Sequence, residues 1–322
     1  MPTLYPIELP GLRGHHPLGF LAACGLLRLA TERSPARLGW KAENAGGWVA
    51  FLQIGESQAD DLRDRLINVV AESAKKFIKD LEQVGITEAE APASDFRKWS
   101  ESTLATDLLP SIGSEILQRR KESGKNKGKF VIRTSHFAMT SGQQDLLSGA
   151  RKVAEKMAKR SRNNEIQEKV RQNIQEALFG LWSYQDDEHS LGWDPNGQRL
   201  HALRNKAPAD DDKNRSVSGA VFLATQALPL FPCFTVGRSV GRSLYTTGFH
   251  RENGEDWFSW PIWRDPISLD TLRSLLAHPF TADLQRRGIE LVYRCRRVRN
   301  PGSAEGHYYV FSHAQQRPWP RA

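Results

Sequence analysis

Carboxylates and an imidazole crowd one short segment of this chain, between Trp182 and Asp194. Asp186, Asp187, His189 and Asp194 are hard-metal ligand types, and metal ions held by such groups catalyse phosphodiester cleavage. Their spacing matches no metal-site motif, and Asp194-Pro195-Asn196-Gly197 reads as a turn, so an exposed acidic loop is the plainer expectation. His15 and His16 stand between Gly14 and Pro17 at the entry to a helix. Imidazole there exchanges protons near neutral pH, but it more ordinarily caps the helix or faces solvent. Gly237-Arg238-Ser239-Val240-Gly241-Arg242 is a candidate phosphate loop, with backbone N–H groups beside Arg238 and Arg242. The chain carries no HExxH, Walker lysine motif, GxSxG or dinucleotide glycine fingerprint. No catalytic residue, resident metal or cofactor is therefore assigned.

A stronger signal is charge. From Arg119 to Arg171 there are fifteen bases against five acids, a surplus of ten, while the whole chain carries +8; everything else is slightly acidic. Charge concentrated this way implies a polyanionic partner, because Lys and Arg release the counterions condensed on phosphates. The residues expected to make those contacts are Arg119, Arg120, Lys121, Lys125, Lys127, Lys129, Arg133, Lys152, Lys156, Lys159 and Arg160. The competing expectation is a solvated basic surface with no specific role.

These residues need elements to hold them. Ile7 to Leu9 suggests a short strand, and Pro17 opens a helix over Leu18 to Ala30 that is apolar almost all round and hence buried. Arg37 to Trp40 and Trp48 to Ile54 read as paired strands. Leu62 to Val84 has helical spacing with Gly85 as its stop, and Glu88 to Ser94 reads as a loop. Gln118 to Lys129 holds no apolar residue and two glycines, which predicts a mobile basic loop before a short strand at Phe130 to Arg133. Two amphipathic helices are expected next. The first, about Gln143 to Arg160, carries Lys152, Lys156 and Lys159 opposite its apolar stripe. The second, about Glu165 to Leu181, turns Ile166, Val170, Ile174, Ala177, Leu178 and Leu181 inward. A helix near Gly219 to Leu228, one capped by Ser268, and strands at Ile289 to Val298 and His307 to His313 complete the pattern. Trp257, Phe258, Trp260 and Trp263 around Pro261 are expected in the core, although aromatics also stack on unpaired bases.

The class is α+β: a small N-terminal sheet with a buried helix, central amphipathic basic helices and a C-terminal β-containing region. The division expected is 1–135, ending in the basic loop, and 136–322. A hydrophobic fraction of 39% fits a folded chain of that kind rather than a disordered one. Leu18 to Ala30 is too short and too interrupted to span a bilayer, and no signal peptide is recognised. Cys24, Cys233 and Cys295 are three isolated thiols, which points away from a disulfide framework and towards a reducing cytoplasm.

Several fragments together resemble a known family: LPGLRGHHPLGFLAACGLLRLA (Leu9 to Ala30), the Trp182 to Pro195 segment, LPLFP (Leu228 to Pro232), TTGF (Thr246 to Phe249) and WPIW (Trp260 to Trp263). They are similar to CRISPR-associated proteins of type I-G (formerly I-U) systems, and most of all to large-subunit-like or accessory families of the Cascade surveillance complex. The resemblance implies a subunit without an active site of its own, in an antiviral effector whose sequence specificity comes from guide RNA pairing. Its implied partners are DNA or CRISPR RNA and the other effector subunits, with no membrane. At 322 residues the chain is short for a full large subunit, which points to a reduced or accessory version. Two readings of other classes compete: a metal-dependent nuclease using Asp186, Asp187, His189 and Asp194, and a protein–protein adaptor whose basic face docks on an acidic partner.

Overall fold

A computed structural model describes residues 3–44, 46–55, 61–103, 107–122, 126–139, 145–158, 164–186, 190–196, 215–237, 241–278, 283–299 and 309–318. Its elements in chain order are β1 (Leu4–Arg13), α1 (Pro17–Thr31), β2 (Ala36–Ala42), β3 (Trp48–Gly55), α2 (Leu62–Val84), α3 (Ala93–Ser100), α4 (Leu109–Ile112), β4 (Gly113–Arg120), β5 (Phe130–Thr134), α5 (Leu146–Ala158), α6 (Asn164–Phe179), α7 (Ser218–Ala227), β6 (Cys233–Val236), β7 (Ser243–Thr246), β8 (Phe249–Glu252), β9 (Glu255–Trp263), α8 (Leu269–Ala277), α9 (Asp283–Arg286), β10 (Ile289–Arg299), β11 (Tyr309–Phe311) and β12 (Gln315–Arg317). The class is α+β, with several small antiparallel sheets. Among the described residues no helix is long and apolar enough to cross a membrane.

The centre is α1 against α7. Every residue of α7 is buried, and in α1 only Arg28 and Thr31 escape full burial. The two backbones approach so closely that a Cβ on Gly25 would lie 1.8 Å from the carbonyl oxygen of Leu223. Glycine is required there by space, not by conformation. Pro17 begins α1 as expected, and His16 is its N-cap: its Nδ1 accepts the Gly19 N–H at 3.4 Å.

On one side of this pair lies the sheet β1-β3-β2, antiparallel throughout, with a register shift in β1 between Leu9 and Arg13. The second sheet runs β11-β10-β9-β8, with β12 also paired to β10. Leu38 and Ile267 exchange both backbone hydrogen bonds at 2.9 Å, so the first sheet is tied to the segment that follows β9. Aromatic rings fill the space between. Phe20 packs with Trp40, Trp260 and Trp263, and Phe137 with Trp193, Phe231, Phe249, Phe258 and Phe311. Two of the buried indoles keep their polar ends satisfied: Trp260 Nε1 donates to Gly14 O at 2.8 Å, and Trp263 Nε1 to Leu38 O at 2.7 Å, whereas Trp40 Nε1 is buried without a partner among the described residues. The tryptophans around Pro261 are thus core, as the sequence led one to expect.

Several sequence expectations need correction. The loop placed at Glu88 to Ser94 gives way at its end to α3, whose Ala93, Phe96 and Trp99 are buried on one side. The free basic loop from Gln118 to Lys129 is shorter: Gln118 to Arg120 belong to β4, and Lys121 still exchanges backbone bonds with Lys129 and Gly128. The second amphipathic helix stops at Phe179, and Leu181, expected inward, is 85% exposed. The C-terminal strand expected over His307 to His313 is described only as Tyr309–Phe311. Strands β6 to β9 and β12 were not anticipated at all.

Candidate nucleic-acid interface

The β4–β5 hairpin carries the front half of the basic stretch. Arg120 lies opposite Phe130, Arg119 opposite Val131 and Ser114 opposite Arg133. Ile132 joins the core and Val131 is buried, and the bridge between Pro92 and Val131, with the Ile132 N–H on Ala91 O at 3.0 Å, fastens the hairpin to the segment before α3. Glu90 in that segment makes ion pairs with both Arg119 and Lys121. Asn126 donates to Glu88 at 3.0 Å and to Glu90 O at 3.2 Å. Arg119 and Lys121 are therefore struts that hold the hairpin down. Arg120, Lys127, Lys129 and Arg133 are exposed, and among the described residues no ion pair engages them.

Helix α5 divides its cations the same way. Lys152 is exposed and carries no ion pair among the described residues. Lys156, expected on the solvent face with it, turns aside to Asp186, with Nζ 2.5 Å from Oδ1 and the two side chains 19% and 8% exposed. The physical reason is that Asp186 is itself buried at the start of α7, where its Oδ2 accepts the Ser218 N–H at 3.0 Å. Burial alone raises this carboxyl's pKa. The Lys156 ammonium and the Ser218 N–H outweigh burial and hold Asp186 below the usual carboxylate range. Arg151 is likewise taken up by Glu82 and Glu155, and Arg171 by Asp64. Lys125, Lys159, Arg160 and Arg238 lie outside the described residues.

Beside the first hairpin sits a second, β6–β7, bonded to it through Ser114 Oγ and Thr235 Oγ1 at 3.2 Å. The candidate phosphate loop connects its two strands in the chain, and of that loop Gly237, Gly241 and Arg242 are described, Arg242 being exposed. Gly237 and Gly241 both have positive φ, 100° and 91°, a conformation that favours glycine. The two hairpins thus join the basic segment and the candidate phosphate loop, about 120 residues apart in the chain. They also expose apolar side chains that sequence reasoning did not single out: Ile116, Phe130, Phe234, Val236 and Tyr245. The signal in the sequence was the short alternation in Cys233–Val236 and Ser243–Thr246 around a glycine-bounded turn, which is a hairpin pattern.

The acidic segment behaves differently. Asp194 is wholly buried. Its Oδ1 accepts the Asn196 N–H at 2.8 Å and stands 3.3 Å from His16 Nε2. Asn196 Nδ2 also reaches the Tyr184 hydroxyl at 3.4 Å, and Trp182 meets the His16 ring edge-on with centroids 5.1 Å apart. Burial first, and then the Asp194 charge, push the Tyr184 phenol above its ordinary pKa. With Nδ1 capping α1 and Nε2 towards Asp194, both nitrogens of His16 face internal partners. This cluster fastens the segment around Tyr184 to Asn196 onto the start of α1. His15 next to it has its pKa lowered by burial and by the neighbouring His16 and Arg13 charges. Asp186 and Asp194 therefore serve different internal partners, and Asp187 and His189 lie outside the described residues. Among the described residues no three metal-ligating side chains converge. The three cysteines are free; Cys24 and Cys295 are buried, and burial pushes their thiols up. Comparison of the chain with protein-family models and with curated proteins finds no match.

Proposed function

We propose that this protein is a non-catalytic, nucleic-acid-contacting subunit of a type I CRISPR surveillance complex, which holds a phosphate backbone against its paired hairpins. One observation carries the reading. Arg120, Lys127, Lys129, Arg133 and Arg242 are exposed on two hairpins that lie side by side, and no internal ion pair engages them among the described residues. Phosphate contacts of this kind position a strand without reading its bases. That fits an effector in which a guide RNA supplies the sequence specificity. The assignment to a CRISPR complex draws on the family-like fragments. The contact with nucleic acid draws on the charge geometry.

The test has two arms. Purified protein with Arg120, Lys127 and Lys129 all changed to Gln is compared with the parent for oligonucleotide binding over a range of salt. The variant should bind every sequence more weakly, with a log–log salt slope flatter by roughly 0.7 to 0.9 for each phosphate that is no longer neutralised. Equal affinity at every salt concentration would refute the contact. Recovery of the tagged protein from its own cells should bring with it RNA of uniform length; its absence would refute membership of a guide-loaded complex.

A further inference from the structure

The exposed rings of the second hairpin say more about the ligand than charge does. Phe234 and Tyr245 are directly opposed across β6 and β7, with ring centroids 4.7 Å apart and exposures of 48% and 37%. Strand alternation places Leu244 and Thr246 inward and leaves this pair, with Val236, on the outer face. On the adjoining hairpin Phe130 is exposed directly opposite Arg120, and Ile116 is exposed beyond it. Two exposed aromatic positions thus lie on neighbouring hairpins, among cations.

A protein interface would also bury such rings, so the surrounding charge decides between occupants. The described residues of the two hairpins, 113–122, 126–134, 233–237 and 241–246, hold seven bases, of which Arg119 and Lys121 are paired with Glu90, and two acids. One of those acids, Glu115, is already paired with Arg97 at 2.7 Å. The centre of a protein–protein interface is depleted in charge, whereas basic grooves with interleaved aromatics track unpaired strands. A duplex offers the same phosphates but keeps its base faces stacked inside, so it leaves Phe234 and Tyr245 without a partner. We infer that the paired hairpins bind single-stranded nucleic acid in preference to duplex, with bases stacked on Phe234 and Tyr245 and the backbone running along Arg120, Lys127 and Lys129. This rests on the nucleic-acid reading above and narrows it to an unpaired strand.

The experiment uses the full chain, oligo-dT, oligo-U and a blunt duplex of equal length, and four proteins: the parent, Phe234→Ala/Tyr245→Ala, Phe234→Leu/Tyr245→Leu, and Arg120→Gln/Lys127→Gln/Lys129→Gln. Both rings are at the surface, so thermal unfolding of the first two variants should match the parent. The parent should bind at least one single strand more tightly than duplex. The alanine variant should lose about tenfold or more in single-strand affinity, with duplex affinity and salt slope unchanged. The charge variant should weaken all three ligands. If the alanine variant binds single strands as the parent does while the charge variant fails, stacking is refuted and the phosphate contact stands. Full single-strand affinity in the leucine variant would overturn stacking in favour of a merely apolar contact. Self-association that the alanine substitutions abolish, with single-strand affinity intact, would assign the rings to a protein interface and overturn the inference. Failure of the parent to bind any of the three ligands would remove the underlying reading itself.

Discussion

Replacing Lys156 with Met should destabilise the fold and leave nucleic-acid binding nearly intact, although Lys156 sits in the middle of the basic stretch. Its ammonium lies 2.5 Å from Asp186 Oδ1, and both side chains are largely buried. Asp186 also accepts the Ser218 N–H through its other oxygen, and its backbone carbonyl accepts the Ser216 N–H at 2.9 Å, so the pair joins α5 to the entry of α7. Removing one partner leaves a buried carboxylate with a single side-chain acceptor bond. Breaking a buried pair in this way costs about 3 kcal/mol, and in a chain of this length that lowers Tm by about 4 °C. The pH dependence gives an independent check. In the parent the carboxyl pKa is depressed, so its contribution is present above the unfolded carboxylate value and is lost as pH falls through the folded one. In Lys156→Met, burial remains without its counterweight, the carboxyl pKa moves up, and the variant loses stability as pH rises. The gap between parent and variant should therefore narrow on acidification from pH 7 towards pH 4. Urea unfolding at several pH values, read beside oligonucleotide affinity at pH 7, measures both effects. A Lys156→Met protein with parental stability and weakened binding would refute the reasoning and return Lys156 to the phosphate-contacting set.

Three further outcomes follow from the same geometry. Glu90→Gln releases Arg119 and Lys121 from their internal pairs, so oligonucleotide affinity at low salt should rise and the salt slope should steepen by up to about two phosphates' worth, roughly 1.4 to 1.8; a flatter slope would count against the hairpin as the binding surface. His136 has its pKa pushed down to about 4 by burial and by the Arg297 charge, and its Nδ1 lies 2.8 Å from Thr246 Oγ1. The unfolded chain therefore binds a proton more readily between about 4 and 6.5, stability falls as pH drops through that window, and His136→Gln should flatten that part of the stability–pH curve while its imidazole NMR signal in the parent stays neutral at pH 6. Gly25→Ala places a methyl group against Leu223 O and should force α1 and α7 apart, at a cost of about 3 kcal/mol or more, seen as a lower Tm and poor recovery of folded protein.

What could be read from the sequence was whatever depended on local pattern. Pro17 followed by an apolar run marked α1, Gly85 marked the end of α2, and Ser268 capped α8, where its hydroxyl accepts the Thr271 N–H. Strand β9 escaped because Trp257 to Trp263 is buried on both faces, so no polar alternation exists to be seen. Pro261 within it is also unusual for a strand interior. It is tolerated because β8 pairs only as far as Phe258, leaving β9 an edge at that point. Strands β6 and β7 alternate over only four residues each, a pattern too short to stand out without the glycine-bounded connection between them. The contact between His16 and Asp194 joins residues 178 apart and leaves no mark on local spacing. The same limit applied to the candidate interface: the bases could be counted, but Phe130, Phe234 and Tyr245 looked like ordinary core aromatics until their strands were placed.

Counting bases also overstates the candidate interface, because a cation in the sequence carries no record of its partner. Arg119 and Lys121 answer one carboxylate, Glu90, which lies close to the hairpin they hold. Lys156, Arg151 and Arg171 answer Asp186, Glu82 with Glu155, and Asp64, all but Glu155 from other elements. Those five are spent on joining the central helices and the hairpin to the rest of the fold. Arg120, Lys127, Lys129, Arg133, Lys152, Lys169 and Arg242 are the described cations of this region left to face a ligand. Seven neutralised phosphates on an unpaired strand correspond to a salt slope of about −5, and on duplex about −6, so the described surface contributes no more than that. The limit follows from the ion pairs: a surplus of ten charges in the sequence reduces to a small set of free cations, and these sit chiefly where two hairpins also expose their rings.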